Sequence, residues 1–447
     1  MTMKNVVTLS IMMLLVSGLS EAKVSSEVAK ALGEELTAVG AQAQGNTAGT
    51  IPSYAGGLTQ NSEADIYQNV FAKEKPLFII TAKNLAEYKE NLSPGQLAMF
   101  AKYPESYTMP VYTSHRTASM PESIEAKAKK NAVTAELVDG GNGLKNFDEV
   151  LPFPIPASGL EVVWNHITRF RGGSVEINQA IIPVQSDGSF SPVVINAQLT
   201  PPQYLKGGSD KELDENILFY YTGTTKSPAR LSGNILLIHE TIDQVKEPRK
   251  AWIYNAGQRR IRRAPQVAYD APGLDGLQTV DQTDMFSGAP DRYDWTLVGK
   301  KELYIPYNAY QMMDKDVEYD DIIAKNHIDQ KNTRYELHRV WQVEATLKEG
   351  TRHIYSKRTL FLDEDSWQVA VADHYDNRGQ LWRLSEGHMA QFVNADTPWY
   401  AAITSYDLFS GRYLISLTNE ERNAFKFGKL LKRKHFTSAS VRRSGKR

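Results

Sequence analysis

No cysteine occurs in the 447 residues, which excludes disulfides, thiolate nucleophiles, iron–sulfur clusters and cysteine zinc sites together. The lipid-accepting cysteine of a bacterial lipoprotein is missing with them, so no lipid anchor is expected. Long apolar runs are scarce as well. The most apolar stretch, Val6 to Val16, is well short of the ~20 residues a bilayer span needs. It follows Lys4 and precedes Ser20-Glu21-Ala22, the pattern of a cleavable secretory signal over residues 1–22. A soluble protein exported to a Gram-negative periplasm, without a transmembrane helix, is the expectation.

Catalytic signatures are also missing. There is no G-x-S-x-G elbow, Walker A loop, G-x-G-x-x-G turn or H-E-x-x-H pair. His239-Glu240 lacks the second histidine of a zincin, and the nine histidines form no close ligand pair. Asp314, Asp316, Glu318, Asp320 and Asp321 put Tyr319 and Lys325 where a calcium loop requires Gly and Glu. This reading expects no enzyme, no metal and no cofactor.

What is present is ordinary for a folded chain: 41% hydrophobic residues, 23% charged, 30 Gly and 20 Pro. Single cores stop growing near ~250–300 residues, so the length implies two lobes or one elongated sheet-based body. The net charge of −1 hides an asymmetry, because Arg422 to Arg447 holds ten Lys/Arg and no acid. The rest of the chain is therefore acidic, which argues against nucleic acid as a partner. The tail is expected either to touch anionic lipid or an acidic protein surface, or to fold back on its own body.

Residues 23–150 read as a helical and loop-rich extension packing on the sheet. Ser25 to Ala38 has helix-former composition, and Ser93-Pro94-Gly95-Gln96 is a capping box with Pro at the first helical position, opening a helix that stops at Pro104. Ser119 to Glu122 repeats the signal before a charged helix reaching about Glu136. From residue 151 to 421 the chain reads as strands of roughly ten residues with short polar turns. Ser186-Asp187-Gly188-Ser189, Asn255-Ala256-Gly257-Gln258, Glu349-Gly350 and Asn377-Arg378-Gly379-Gln380 are such turns, and strands joined this tightly are antiparallel. In Tyr335 to Ala345 one face is mostly apolar, while Glu336, His338, Gln342 and Glu344 face the other way. That pattern predicts one wet and one dry face. About ten such strands would bend around helices or a ligand. The fold class expected is α+β, mainly antiparallel β, with residues 422–447 as a basic tail.

Two groups of residues are binding candidates. In Lys250 to Pro272, Arg260 and Arg262 share one strand face, and Arg259, Ile261 and Arg263 take the other. The guanidinium groups would hold an anionic head group or a partner's carboxylates, or else pair with the acidic loops between Asp270 and Asp294. The recurrent aromatics Trp164, Trp252, Tyr254, Trp295, Trp341, Trp367 and Trp382 would line a wide apolar concavity, or serve singly as core. Trp164, Trp252, Tyr254, Arg260, Arg262, Trp295, Trp341 and Trp382 are the ligand-binding candidates; Arg259, Arg263, Lys432, Arg433, Lys434, Arg442 and Arg443 are those for partner docking.

Several stretches resemble a family of exported bacterial proteins, domain of unknown function 1329, often described as outer-membrane lipoprotein-sorting-like. They are GTIPSYAGGL (49 to 58), SPGQLAMFAKYPESYTMPVYTSHRTASMP (93 to 121), GLEVVWNHITRFRGG (159 to 173), WIYNAGQRRIRRAPQVAYDAP (252 to 272), DQTDMFSGAPDRYDWTLVGKKELYIPYN (281 to 308) and the ending FTSASVRRSGKR. The resemblance implies a curved open half-barrel closed by helices, like the lipoprotein carrier and receptor of the sorting pathway, with an apolar cavity for acyl chains. It also implies an inner-membrane exporter and outer-membrane components as partners. The expected function is a periplasmic carrier of a hydrophobic or lipid-like molecule between the two membranes. The alternative is a scaffold subunit of an envelope complex, docking through the arginine strand and the tail.

Overall fold

A computed structural model describes residues 23–58, 69–264, 269–417 and 425–445. The signal segment 1–22 expected above lies outside these, as do residues 422–424, 446 and 447 of the basic tail. Two short strands, β1 (Phe78–Ile80) and β2 (Met109–Val111), and a separate hairpin of β3 (Glu136–Val138) and β4 (Gly143–Lys145) come first. The main run opens with β5 (Val175–Val184), β6 (Val193–Thr200), β7 (Ile217–Ser227), β8 (Ile235–Thr241), β9 (Lys250–Asn255) and β10 (Arg260–Arg263). After a covering loop it resumes with β11 (Tyr293–Pro306), β12 (Tyr335–Leu347), β13 (Lys357–Asp363), β14 (Val369–Tyr375), β15 (Leu381–Phe392) and β16 (Thr397–Asp407). It ends with β17 (Tyr413–Leu417) and β18 (Phe425–Phe427).

Sixteen strands form one sheet in the order β1-β2-β12-β13-β14-β15-β16-β17-β5-β6-β7-β8-β9-β10, with β11 beside β12 and β18 beside β5. Every pairing is antiparallel except the single β2–β12 bridge between Val111 and Tyr335. The sheet is not closed: among the described residues β10 pairs only with β9, leaving an edge of arginines. The turns do what their residues dictate, Ser186–Ser189 joining β5 to the bridge at Phe190, and Asn255–Gln258 joining β9 to β10.

The two halves of the sheet differ. In β13 to β16 nearly every residue is buried, and since neighbours on a strand face opposite sides, both faces are covered. The wet face predicted on β12 is corrected for its first half, while Gln342 and Glu344 stay half-buried. Glu336 is 0% and His338 1% exposed. Other segments lie over that face: His115 N and Asn308 Nδ2 donate to Glu336, Arg116 holds Asp365, and the ion pair of Arg334 with Glu336 (2.5 Å) replaces solvent. From β6 to β10 burial is less complete: β8 alternates, with Leu236 and Ile238 half-buried beside buried Ile235 and Leu237, and exposure rises on β9 and β10.

Helices are few. The capping box at Ser93 forms as its sequence demands, Ser93 Oγ accepting from Gln96 N and Gln96 Oε1 from Ser93 N, and the helix runs Pro94–Lys102. The helix expected after Ser119 is present as Glu122–Thr134, but Pro121 holds the N-cap position, and Ser119 donates to Asp396 on the loop after β15. Ser25 caps only Ser26–Ala29, shorter than its composition indicated, because Gly33 at φ +93 turns the chain. Gly159–Ile167 is buried against β11 and β12. No helix among the described residues is long and apolar enough to cross a membrane.

Candidate functional site

Register places the side chains of β6 to β10 on two faces. One face carries Tyr220, Leu237, Trp252, Tyr254 and Ile261, and the end of the chain covers it. Phe436 and Val441 of the tail join Leu205, Ile217, Tyr220, Ile235, Leu237 and Tyr254 in a small core, and Tyr254 donates to Gly445 O at 2.8 Å. The basic tail thus folds back on the body, with Arg433 on Asp214 and Lys429 on Glu176.

The opposite face is closed at β5 and β6 and opens toward β10. A straight cross-strand row runs Ile177, Ala197, Gly223, Leu236, Ile253, Arg262 from β5 to β10. Burial falls along it. Ile177 and Ala197 are buried, Leu236 is half-buried, Ile253 is 45% exposed and Arg262 is exposed. A parallel row holds Leu199, Tyr221, Ile238 and Ala251. Gly223 is needed here because a Cβ would lie 2.5 Å from the Tyr221 hydroxyl; its absence lets the tyrosine lie along the sheet. Leu236, Ile238 and Ile253 pack into neither hydrophobic core. They form a greasy strip ending in guanidinium groups, since Arg260 shares the face of Arg262.

At the inner end lies a cavity of about 50 Å³ bordered by Phe170, Leu199, Tyr204, Phe219, Arg169 and Arg171. At ~10–15 Å³ of such volume per water it has room for about four waters, not for an acyl chain. Trp164 and its neighbours on Gly159–Ile167 fill the space against β11 and β12. Arg169 and Arg171 share one carboxylate, Asp284, at 2.5 and 2.8 Å. Burial opposes the charge on Asp284, but the two guanidiniums prevail and hold it well below the usual carboxylate range. Arg171 is brought down to about 10 by burial and by the neighbouring Arg169.

Of the eight ligand candidates read from sequence, Arg260 and Arg262 reach the open face. Trp252 and Tyr254 lie on the covered side, because the tail shields it. Trp164 donates its Nε1 to Gly141 O (2.9 Å), Trp295 to Pro290 O (2.8 Å) and Trp382 to Asp407 Oδ2 (2.9 Å). Trp341 stacks on Trp367 at 6.1 Å. These four are bound into the structure away from the strip, as their size and single polar atom favour. Arg259 occupies the β9–β10 turn at φ +52, and Arg263 lies on the tail side. Lys432, Lys434, Arg442 and Arg443 are exposed, whereas Arg433 is engaged by Asp214. Pairing of the four strand arginines with the loops between Asp270 and Asp294 is not found among the described residues; all four are exposed. Tyr221, Leu236, Ile238 and Ile253 were the residues that sequence reading passed over, although their alternation with Tyr220, Leu237 and Tyr254 carries the signal.

The covered half of the sheet holds charge networks. His338, Asp363 and Asp365 bring ligand-type atoms within 4.8 Å of one another. Arg116 grips Asp365 through two bonds, at 2.6 and 2.8 Å, and His338 Nε2 faces Glu336 at 3.1 Å. A guanidinium thus already compensates the carboxylate, and the group reads as an ion-pair network. In a second network, Arg358 and His353 meet Asp281 at 2.7 and 3.1 Å.

A family model described as protein of unknown function (DUF1329) matches residues 79–442. An uncharacterized protein of Pseudomonas aeruginosa is 52% identical over 433 residues, covering 95% of each chain. A solved domain from Vibrio parahaemolyticus, described as a putative outer membrane lipoprotein-sorting protein, aligns with a TM-score of 0.42 and 11% identity over 61% of this chain and 93% of its own. A solved DUF1329 protein from Desulfovibrio piger aligns with a TM-score of 0.41 and 13% identity over 60% and 91%.

Proposed function

The chain belongs to the DUF1329 family, and from that premise we propose that it is a non-enzymatic periplasmic carrier of a lipid-like anion between the inner and outer membranes. One observation carries the reading: the half-open strip of Tyr221, Leu236, Ile238 and Ile253 that ends at Arg260 and Arg262. An acyl chain laid on the strip would bury one side, with its acidic head at the guanidiniums. Half-covered methylenes gain about 0.4 kcal/mol each, half the ~0.8 kcal/mol of full burial. A chain of about twelve carbons then yields roughly 5 kcal/mol, which by itself is submillimolar at best. The arginines must supply the rest, so a neutral chain is expected to bind poorly.

The test combines native mass spectrometry of protein purified from its periplasm with titration of cis-parinaric acid, a fluorescent fatty acid. Wild type is expected to carry lipid and to bind the probe. Leu236→Thr with Ile253→Thr should weaken probe binding at least tenfold with little change in melting temperature, because neither side chain belongs to a core and threonine suits a strand. Protein without lipid that ignores the probe, or a double variant that binds it equally well, overturns the proposal.

A further inference from the structure

The tail brings together two basic segments that are almost two hundred residues apart in sequence. No Asp or Glu occurs from Ile217 to His239, from Pro248 to Tyr269, or from Arg422 to Arg447. In the fold these stretches are neighbours. The β7–β8 turn meets the β9–β10 turn where Asn234 Oδ1 accepts from Ala256 N at 2.9 Å. The helix Ser438–Ser444 packs on β8, β9 and β10, with Gly445 against the Tyr254 ring. Lys226, Arg230, Arg259, Arg263, Arg442 and Arg443 are all exposed there. Apart from Asp187 on the β5–β6 turn, the acids of this half lie toward the other end of the strands, and three of them are engaged there: Asp214 by Arg433, Glu240 by Arg249, Glu247 by Lys250. One end of the sheet therefore carries positive charge that no described acid neutralises.

We propose that this end docks on the surface of an anionic bilayer. The choice of lipid over an acidic protein rests on what adjoins the charge. Ile253, 45% exposed, lies directly across from Arg262, so apolar and cationic groups share one rim, as in interfacial membrane binding. The purpose of docking, transfer of a lipid onto the open strip, rests on the carrier reading; the docking itself does not.

Flotation of the mature full-length chain is the experiment, with vesicles of pure phosphatidylcholine and vesicles containing ~30% phosphatidylglycerol, at ~50 and ~300 mM NaCl, which bracket strong and weak screening. Binding is expected on the anionic vesicles alone and should fall at least tenfold at the higher salt. Arg259→Gln, Arg263→Gln, Arg442→Gln and Arg443→Gln together spare Arg260 and Arg262. At roughly fivefold per charge, they should cost on the order of a hundredfold or more in partitioning. Probe binding on the strip should be unchanged, which also shows that the variant is folded. Arg442→Gln with Arg443→Gln alone should give an intermediate loss. Absence of vesicle binding, equal binding to neutral vesicles, or full binding by the fourfold variant overturns the proposal; capture of polyglutamate without vesicle binding would assign the surface to acidic proteins instead. Vesicle binding by a protein that ignores cis-parinaric acid would uphold docking and sink the carrier.

Discussion

Glu386 and Asp373 are buried carboxyls with hydrogen-bond donors but no close cationic partner. Tyr335 Oη and Gln96 Nε2 donate to Glu386 at 3.0 Å each, and Ser93 Oγ and Gly95 N donate to Asp373 Oδ1 at 3.1 Å. Burial pushes both up to about 7, overriding those bonds. A raised carboxyl holds its proton more tightly in the folded state than in the unfolded one. Stability is therefore lost as pH rises from the ordinary carboxylate range to about 7, and above that the charge is carried in full. Glu386→Gln removes the titration and keeps an acceptor for Gln96. Urea melts are expected to show a gain of about 2–3 kcal/mol at pH 8, from a shift worth ~1.4 kcal/mol per unit, and little change at pH 5. An equal effect at both pH values would refute the assignment. Residue identity alone did not reveal this site: the capping motif at Ser93 is legible in sequence, whereas the carboxyls it meets lie some 280 and 290 positions away.

The helix Pro94–Lys102 and the tail are the elements whose docking decides which sheet faces are closed. Gly95 allows the helix its approach, since a Cβ there would stand 2.2 Å from Asp373 Oδ1 and 2.7 Å from Leu384 Cδ1. Gly95→Ala is expected to cost about 1–3 kcal/mol, the range for overpacking a tight interface, measurable by thermal or urea denaturation. The tail acts on the other half. Phe436 is 1% exposed in the small core it builds with Tyr220 and Val441. Phe436→Ala should cost roughly 3–5 kcal/mol if the whole chain unfolds as one unit. If the tail instead lifts off separately, hydrogen exchange will rise selectively at Lys206, Val441 and Gly445, whose amides bond within or to the tail, before global unfolding. Exposed Trp252 would then give a red-shifted emission.

Over the whole molecule, the sheet runs from a half sealed on both sides, β13 to β17, to a half whose one side opens progressively toward β10. Hairpin turns made the antiparallel order between sequential strands readable. Ser-Asp-Gly-Ser and Asn-Ala-Gly-Gln punctuate runs of β-branched and aromatic residues, and a short connection leaves only one relative direction. The junction of β17 with β5 was not readable, because that pairing closes a loop of more than two hundred residues and no local signal marks it. The same limit governed the site. Alternation alone put Arg260 and Arg262 on one strand face, while which face stays open, and where the equally conspicuous tryptophans lie, depends on what each helix and the tail cover.

The sequence by itself determined the class of structure, the helix start at Ser93, the hairpin turns, the family and the unbalanced charge of the tail, because each is written in neighbouring residues or in composition. Tertiary structure alone decided that Glu336 and His338 are interior, that one apolar strip stays open, and that the tail's charge gathers beside the arginine edge. Those outcomes depend on which surfaces meet, and burial is a property of pairs of segments that local pattern does not specify.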